Sequence, residues 1–344
     1  MSIKPSLSAE NELPLVTPPE IPLWSENYCL QSYDANADIG FWLHMGLPVY
    51  DSGLWHDITI VYLPGGEDLL VVKSFTPKEW QKDAGPVGAM LRADYDTASG
   101  EWVWRFHGVA HRARRSDLHR ALLTESTAHP LRFELRFDGL SGIWDLTHYV
   151  GEQAWATNGA HWEQPCATSG WIEYDGRRVA LNGTGIRDHS RGKRDTTHFG
   201  PHFWLHGAFP SGRCFGLLYV SPMVGQPSVL NRAYVVYGGE LQDAEVVQLP
   251  ADRSFQKDFE ITLRDGKGTH RITGKLLHDM TFSFFAPNEI LLGRDLARAE
   301  RFLNEGQVRW NWDGETGYGL GERTVRIGPD RQPDEVSTTA VILG

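Results

Sequence analysis

The densest cluster of reactive side chains is Gly183-Thr-Gly-Ile-Arg187-Asp188-His189-Ser190-Arg191-Gly192-Lys193-Arg194-Asp195, which sets bases, acids and an imidazole between glycines. A carboxylate beside an imidazole can fix its tautomer and hold it ready as acid or base. Adjacent residues of a strand point to opposite faces, so Asp188 and His189 need not touch, and each is a separate candidate for proton transfer. The structural reading of the same residues is an Arg–Asp network that pins two sheets together. Shortly afterwards comes Phe203-Trp204-Leu205-His206, and the same four residue types stand at Phe41-Trp42-Leu43-His44. As strands, both copies put Trp and His on one face (Trp42 with His44, Trp204 with His206) and Phe and Leu on the other. A wall of tryptophan and histidine suits an apolar ligand carrying one polar group. His206 is then a proton-transfer candidate, or alternatively a core histidine bonded to backbone.

Other chemistries find less support. His198, His202 and His206 are spaced as a helical metal face requires, but Gly200-Pro201 interrupts them and the following run reads as strand, so no metal is expected. Asp34 and Asp38 fit turn chemistry better than calcium binding. No GxGxxG follows a strand, and GxxxxGK[ST] and GxSxG are absent, so neither a nucleotide cofactor nor a serine nucleophile is expected. The expectation is an active site without cofactors.

The balance of 33 Lys+Arg against 44 Asp+Glu, a formal charge of −11, argues against nucleic acid or an anionic membrane as partner. The basic run His111-Arg112-Ala-Arg114-Arg115 reads as a charge-protected strand edge. Apolar runs are of strand length, too short to span a bilayer as a helix. Three scattered cysteines, Cys29, Cys166 and Cys214, fit a reducing compartment, and the first residues lack a secretory pattern; the cytoplasm is the expected location. The oligomeric state is left open, a homodimer included.

The elements that must position these residues are strands. Leu131, Phe133, Leu135 and Phe137 alternate with Arg132, Glu134 and Arg136, the pattern of an antiparallel strand with one packed face. Turn signals such as Pro64-Gly-Gly, Asp175-Gly176 and Asp313-Gly314 separate such runs, and only Gly293–Asn304 looks helical. The fold class is all-β. The proline-rich residues 1–22 read as an irregular arm. The repeated Phe-Trp-Leu-His motif, offset by 162 residues, points to duplication into β-domains at 23–158 and 159–335.

The Gly-x-Gly-x-Arg-Asp-His-Ser-x-Gly-x-Arg-Asp segment before a tryptophan strand resembles the AttH-like and carotenoid 1,2-hydratase-like (hydroxyneurosporene synthase-like) group. Tyr33-Asp34-x-x-Ala37-Asp38-Ile39-Gly40, His161-Trp162-Glu163-Gln164 and Trp312-Asp-Gly-Glu-Thr-Gly-Tyr318-Gly-Leu-Gly-Glu322 are similar to the same group. The resemblance implies two linked lipocalin-like β-barrel domains and a hydrophobic isoprenoid- or aromatic-derived small molecule. Hydration or dehydration, isomerisation or cyclisation by proton transfer follows from it; a carrier or sensor of such a molecule is the alternative. The chain departs from the group where Arg191-Gly192 replaces Trp-Gly. It departs again at Tyr219-Val220-Ser221, where the hydratase branch has a carboxylate. The proton donor must then come from His206, Asp188, His189 or Glu163, with Trp204, Tyr219, Trp162, Arg187, Trp42 and His44 around the substrate. A carbohydrate-binding module, the third reading of the tryptophan count, lacks an accompanying catalytic domain.

Overall fold

The alternating run at residues 131–137 is buried on its apolar side and partly exposed on its charged side, as antiparallel pairing requires. It belongs to β7 (Thr127–Gly139), one of nineteen strands in a computed structural model that describes residues 7–78, 85–119, 127–147, 149, 159–221, 230–250 and 257–327. The first sheet comprises β1 (Trp24–Asp34), β2 (Ile39–Gly46), β3 (Leu54–Tyr62), β4 (Asp68–Pro77), β5 (Leu91–Asp96), β6 (Glu101–Arg114), β7, β8 (Trp144–Asp145), β9 (Ala160–Tyr174) and β10 (Arg177–Lys193). Its order runs β10-β1-β2-β3-β4-β6-β7-β9, and β9 pairs back to β10, closing a barrel.

The second sheet comprises β11 (His202–Ala208), β12 (Cys214–Val220), β13 (Leu230–Tyr237), β14 (Glu240–Gln248), β15 (Asp258–Asp265), β16 (Gly268–Phe285), β17 (Glu289–Leu292), β18 (Arg301–Trp312) and β19 (Glu315–Arg326). It runs β15-β14-β13-β12-β11-β19-β18-β16, and β15 pairs with β16 to close a second ring. The described helices are two single turns, α1 (Ala9–Glu12) and α2 (Arg115–Leu118), and a short 3-10 turn at Thr196–His198. The fold is therefore all-β, with positive φ at Asp175-Gly176 and Asp313-Gly314, where hairpins turn.

Three expectations are corrected. The hairpin β9–β10, assigned from sequence to the carboxy-terminal half, completes the first barrel, and the sheet changes only between Lys193 and His202. The residues 155–158 of the expected join, and 328–335 at the expected end, lie outside the described residues. The two Phe-Trp-Leu-His copies lie on β2, the second strand of its ring, and β11, the first of its own, so they do not occupy equivalent positions. The helical reading of residues 293–304 fails as well. One turn forms where Ala299 N–H donates to the Asp295 carbonyl at 2.9 Å, and from Arg301 the chain joins β16 and β19 as strand. Ladder bonds on both sides outweigh local helix propensity there.

Two apolar clusters fill the barrels, Phe41, Leu43, Trp55, Trp104 and Phe133 in the first and Phe203, Leu205, Phe215 and Trp310 in the second. A third cluster draws on both sheets, including Trp42, Ile60, Trp204, Leu218, Phe282 and Leu303. Polar contacts reinforce this junction. His278 Nε2 lies 2.6 Å from Asp38, Arg115 Nη1 donates to Asp279 at 2.8 Å, and Gln31 bonds Gln307.

Candidate functional site

The alternation of β2 and β11 decides where the site is. Phe41, Leu43, Phe203 and Leu205 point into the barrels, whose interiors are filled. Trp42 and Trp204 point outwards, each towards the other barrel. A cavity of about 210 Å³ lies between the barrels, lined by Trp42, His44, Asp188, His202, Trp204 and Glu305 among others.

Strand register builds its walls. Across the first barrel, Glu163, Asp188, Cys29 and His44 are successive cross-strand partners, and a parallel row runs His161, Ser190, Asn27, Gly46 and His56. A Cβ at Gly46 would meet Asn27 Oδ1 and the His44 ring, so a larger residue there would push both side chains aside. Across the second barrel, Glu322, Trp204 and Leu218 form a row, as do Leu303, Thr324, His202 and Val220. The register that pairs Asn304 with Arg323 and Gln307 with Leu320 also sets Glu305 opposite Glu322.

Glu305 is fully buried, with its carboxyl turned to Glu322 and the Trp42 indole. Burial and then the Glu322 charge raise its pKa well above the usual carboxylate range, because two adjacent buried carboxyls cannot both ionise. Glu322 is held by His202, whose Nε2 lies 2.6 Å from Oε1, while Thr324 Oγ1 lies 2.5 Å from His202 Nδ1. The pair thus sets Glu305, whose pKa is raised, beside Glu322, which an imidazole braces. Two further cavity histidines are neutral, for burial pulls His44 down to about 4 and His56 to about 3.

On the opposite wall His161 Nε2 stands 2.7 Å from Asp188 Oδ2 and 2.9 Å from Glu163 Oε1. Burial disfavours a charged imidazole, but Asp188 and Glu163 outweigh it and push His161 up to about 10. Glu163 is raised from its ordinary value, by burial first, against the pull of His161. These three ligand atoms lie within 4.8 Å of one another, the one such histidine–carboxylate group among the described residues.

The strand carrying Asp188 shows both its faces. Asp188 and Ser190 line the cavity, whereas Arg187, His189 and Arg191 face the first barrel's interior end. There Arg187 donates to both carboxylate oxygens of Glu12, at 2.7 and 2.8 Å, and to Gln164 at 2.8 Å. His189 lies 3.0 Å from Glu26 and stacks on Tyr28, with Trp162 beside it. Arg187, His189 and Trp162 therefore hold the barrel end and the amino-terminal arm and stay away from the cavity. Tyr219 packs towards the second barrel's interior, leaving Leu218 and Val220 to line the cavity. His206 is fully buried, its Nδ1–H donating to the Phe215 carbonyl at 3.1 Å near the Gly185 backbone. Burial lowers it to about 4, and it lies outside the cavity lining. Of the sequence candidates, the structure brings Asp188, Trp204, Trp42 and His44 to the cavity, with Glu163 just behind His161. Sequence reasoning missed Glu305, which stands just beyond the run read as helix and carries no local signal.

The sequence profile of the family described as "Domain of unknown function (DUF7064)" matches residues 8–326. The chain belongs to that family. No curated protein matches it significantly. Among solved structures it is similar to a putative AttH from Nitrosomonas europaea, with a TM-score of 0.58 and 12% identity over 88% of this chain and 92% of that one. Kievitone hydratase from Nectria haematococca matches with a TM-score of 0.54 and 11% identity over 87% and 88% of the two chains. CghA with Sch210972 follows, with a TM-score of 0.51 and 8% identity over 89% of each. At such identities the likeness shows the fold, and that fold is the one the AttH-like resemblance implies.

Proposed function

We propose that this protein is a proton-transfer enzyme acting on a compact hydrophobic molecule held between its barrels, in a hydration, dehydration, isomerisation or cyclisation. The observation that carries this reading is Glu305, a carboxyl whose pKa is raised by burial and by the neighbouring Glu322, on the wall of an aromatic cavity. Such an acid can protonate an alkene or a carbonyl oxygen, and the faces of Trp42 and Trp204 can stabilise the positive charge that develops. Glu322, braced by His202, takes the role of base on the return step. The volume of about 210 Å³ lies below the range of about 300–1,000 Å³ usual for small-molecule pockets, which favours a compact substrate. The fold neighbour named a kievitone hydratase is consistent with the hydration variant.

The test begins with native mass spectrometry of protein from its own host, to identify a retained ligand. The wild type, incubated with that ligand in D2O, is expected to yield a product carrying solvent deuterium. Glu305→Gln is expected to slow this by roughly 10²–10⁴-fold. A ligand released unchanged and unlabelled by the wild type makes the protein a carrier instead.

A further inference from the structure

We propose that His161, Glu163 and Asp188 bind one divalent first-row transition cation at the wall of the inter-barrel cavity. The three side chains are set by rigid geometry. His161 and Glu163 stand two apart on one face of β9, and Asp188 is the direct cross-strand partner of Glu163 on β10. Like charges directly opposite on a sheet destabilise it unless a cation lies between them.

The histidine leaves two carboxylate oxygens short of a hydrogen bond. Its Nε2 has one hydrogen to share between two carboxylate oxygens, at 2.7 and 2.9 Å. Asp188 Oδ2 is buried without a hydrogen bond of good geometry, and the Arg194 guanidinium acts on its carboxylate by charge alone. Glu163, whose side chain is 0% exposed, leaves Oε2 without a hydrogen bond of good geometry although the Trp204 indole lies beside it. A cation that displaces the proton from His161 Nε2 and takes one lone pair from each group satisfies all three at once. The two spacings from Nε2, 2.7 and 2.9 Å, are close to the roughly 3 Å that separates neighbouring ligands at right angles around a metal bound at about 2.0–2.2 Å, and all three donor atoms lie within 4.8 Å of one another. One imidazole and two carboxylates suit Zn²⁺, Mn²⁺ or Fe²⁺ better than calcium, which prefers all-oxygen sites, or copper(I), which prefers thiolates. His161 and Asp188 line the cavity, so the remaining coordination positions open towards its contents. A cation there would polarise a ligand oxygen from the wall opposite Glu305.

The test is calorimetric titration of chelator-treated full-length protein with ZnCl2 and with MnCl2, CaCl2 serving as the hard-cation comparison. One Zn²⁺ or Mn²⁺ per chain is expected, bound at least roughly 10–100-fold more weakly by Glu163→Gln and by His161→Ala. The exposed control His129→Ala should bind as wild type. Thermal melts show which variants fold, and the nearly isosteric Glu163→Gln and Asp188→Asn keep the test valid should His161→Ala fail. Substitution with Co²⁺ reports the ligand field directly, and its visible bands should change in Asp188→Asn. No binding to the wild type, or equal binding by all three ligand variants, overturns the site. The inference stands apart from the proton-donor reading. Deuterium transfer that persists without any metal binding removes only the cation site. Full turnover by Glu305→Gln with the metal bound removes only the acid.

Discussion

Replacing Glu305 by glutamine separates what this residue does for chemistry from what it costs the fold. In the folded protein its pKa is raised well above the ordinary 4.5, so at neutral pH the native state keeps a proton that the unfolded chain gives up. Stability attributable to this group is therefore highest below pH 4.5 and falls as pH rises, until the native carboxyl also ionises. Each pH unit over which the native carboxyl stays protonated while the unfolded one is ionised costs about 1.4 kcal/mol. Glutamine keeps the shape, can donate to Glu322 and removes the penalty. With an unfolding entropy of about 2.1 cal/mol/K per residue, a chain of 344 residues gains roughly 2 °C in Tm for each such unit. The assay is thermal or urea unfolding of wild type and variant from pH 4.5 to 8, beside turnover. The expected signature is a variant more stable at pH 7, with an advantage that vanishes near pH 4.5, and slower by two to four orders of magnitude. A variant that is destabilised at pH 7, or whose advantage is independent of pH, refutes the protonated-acid reasoning.

Glu12→Ala leaves Arg187 charged and buried and should cost roughly 3–5 kcal/mol in urea unfolding at pH 7. Burial opposes the Glu12 charge but Arg187 prevails and lowers its pKa, so this contribution is present above pH 4.5 and fades on acidification; the same titrations across pH check it. His206→Ala should lower stability by roughly 2–4 kcal/mol through a cavity and an unsatisfied Phe215 carbonyl, with turnover of the folded protein nearly unchanged in steady-state assays. Trp204→Leu removes an aromatic face that stabilises the developing positive charge and should lower kcat by roughly tenfold in steady-state assays, with KM changing less. Gly46→Ala should shift Asn27 and His44 and weaken ligand binding measured by fluorescence quenching, at little cost in secondary structure.

Period-2 patterning, Asp-Gly turns and the lack of sustained helical period determined an all-β chain, because one strand's alternation is a local property. Alternation also showed that Trp42 and Trp204 share faces with His44 and His206, and that Asp188 and His189 part company. It could not say which face is the inside. In a chain of two filled barrels both faces are apolar, and only packing of one barrel on the other sent the tryptophans to a shared cavity and left Phe and Leu within. Arg187 and His189 looked like site residues because charge is dense around them; their partners Glu12 and Glu26 lie more than 160 positions away and make them anchors of the arm. Glu305 carried no local signal at all. Its chemistry arises from a register that sets it opposite Glu322 and from burial between two barrels, and both are properties of the assembled sheets.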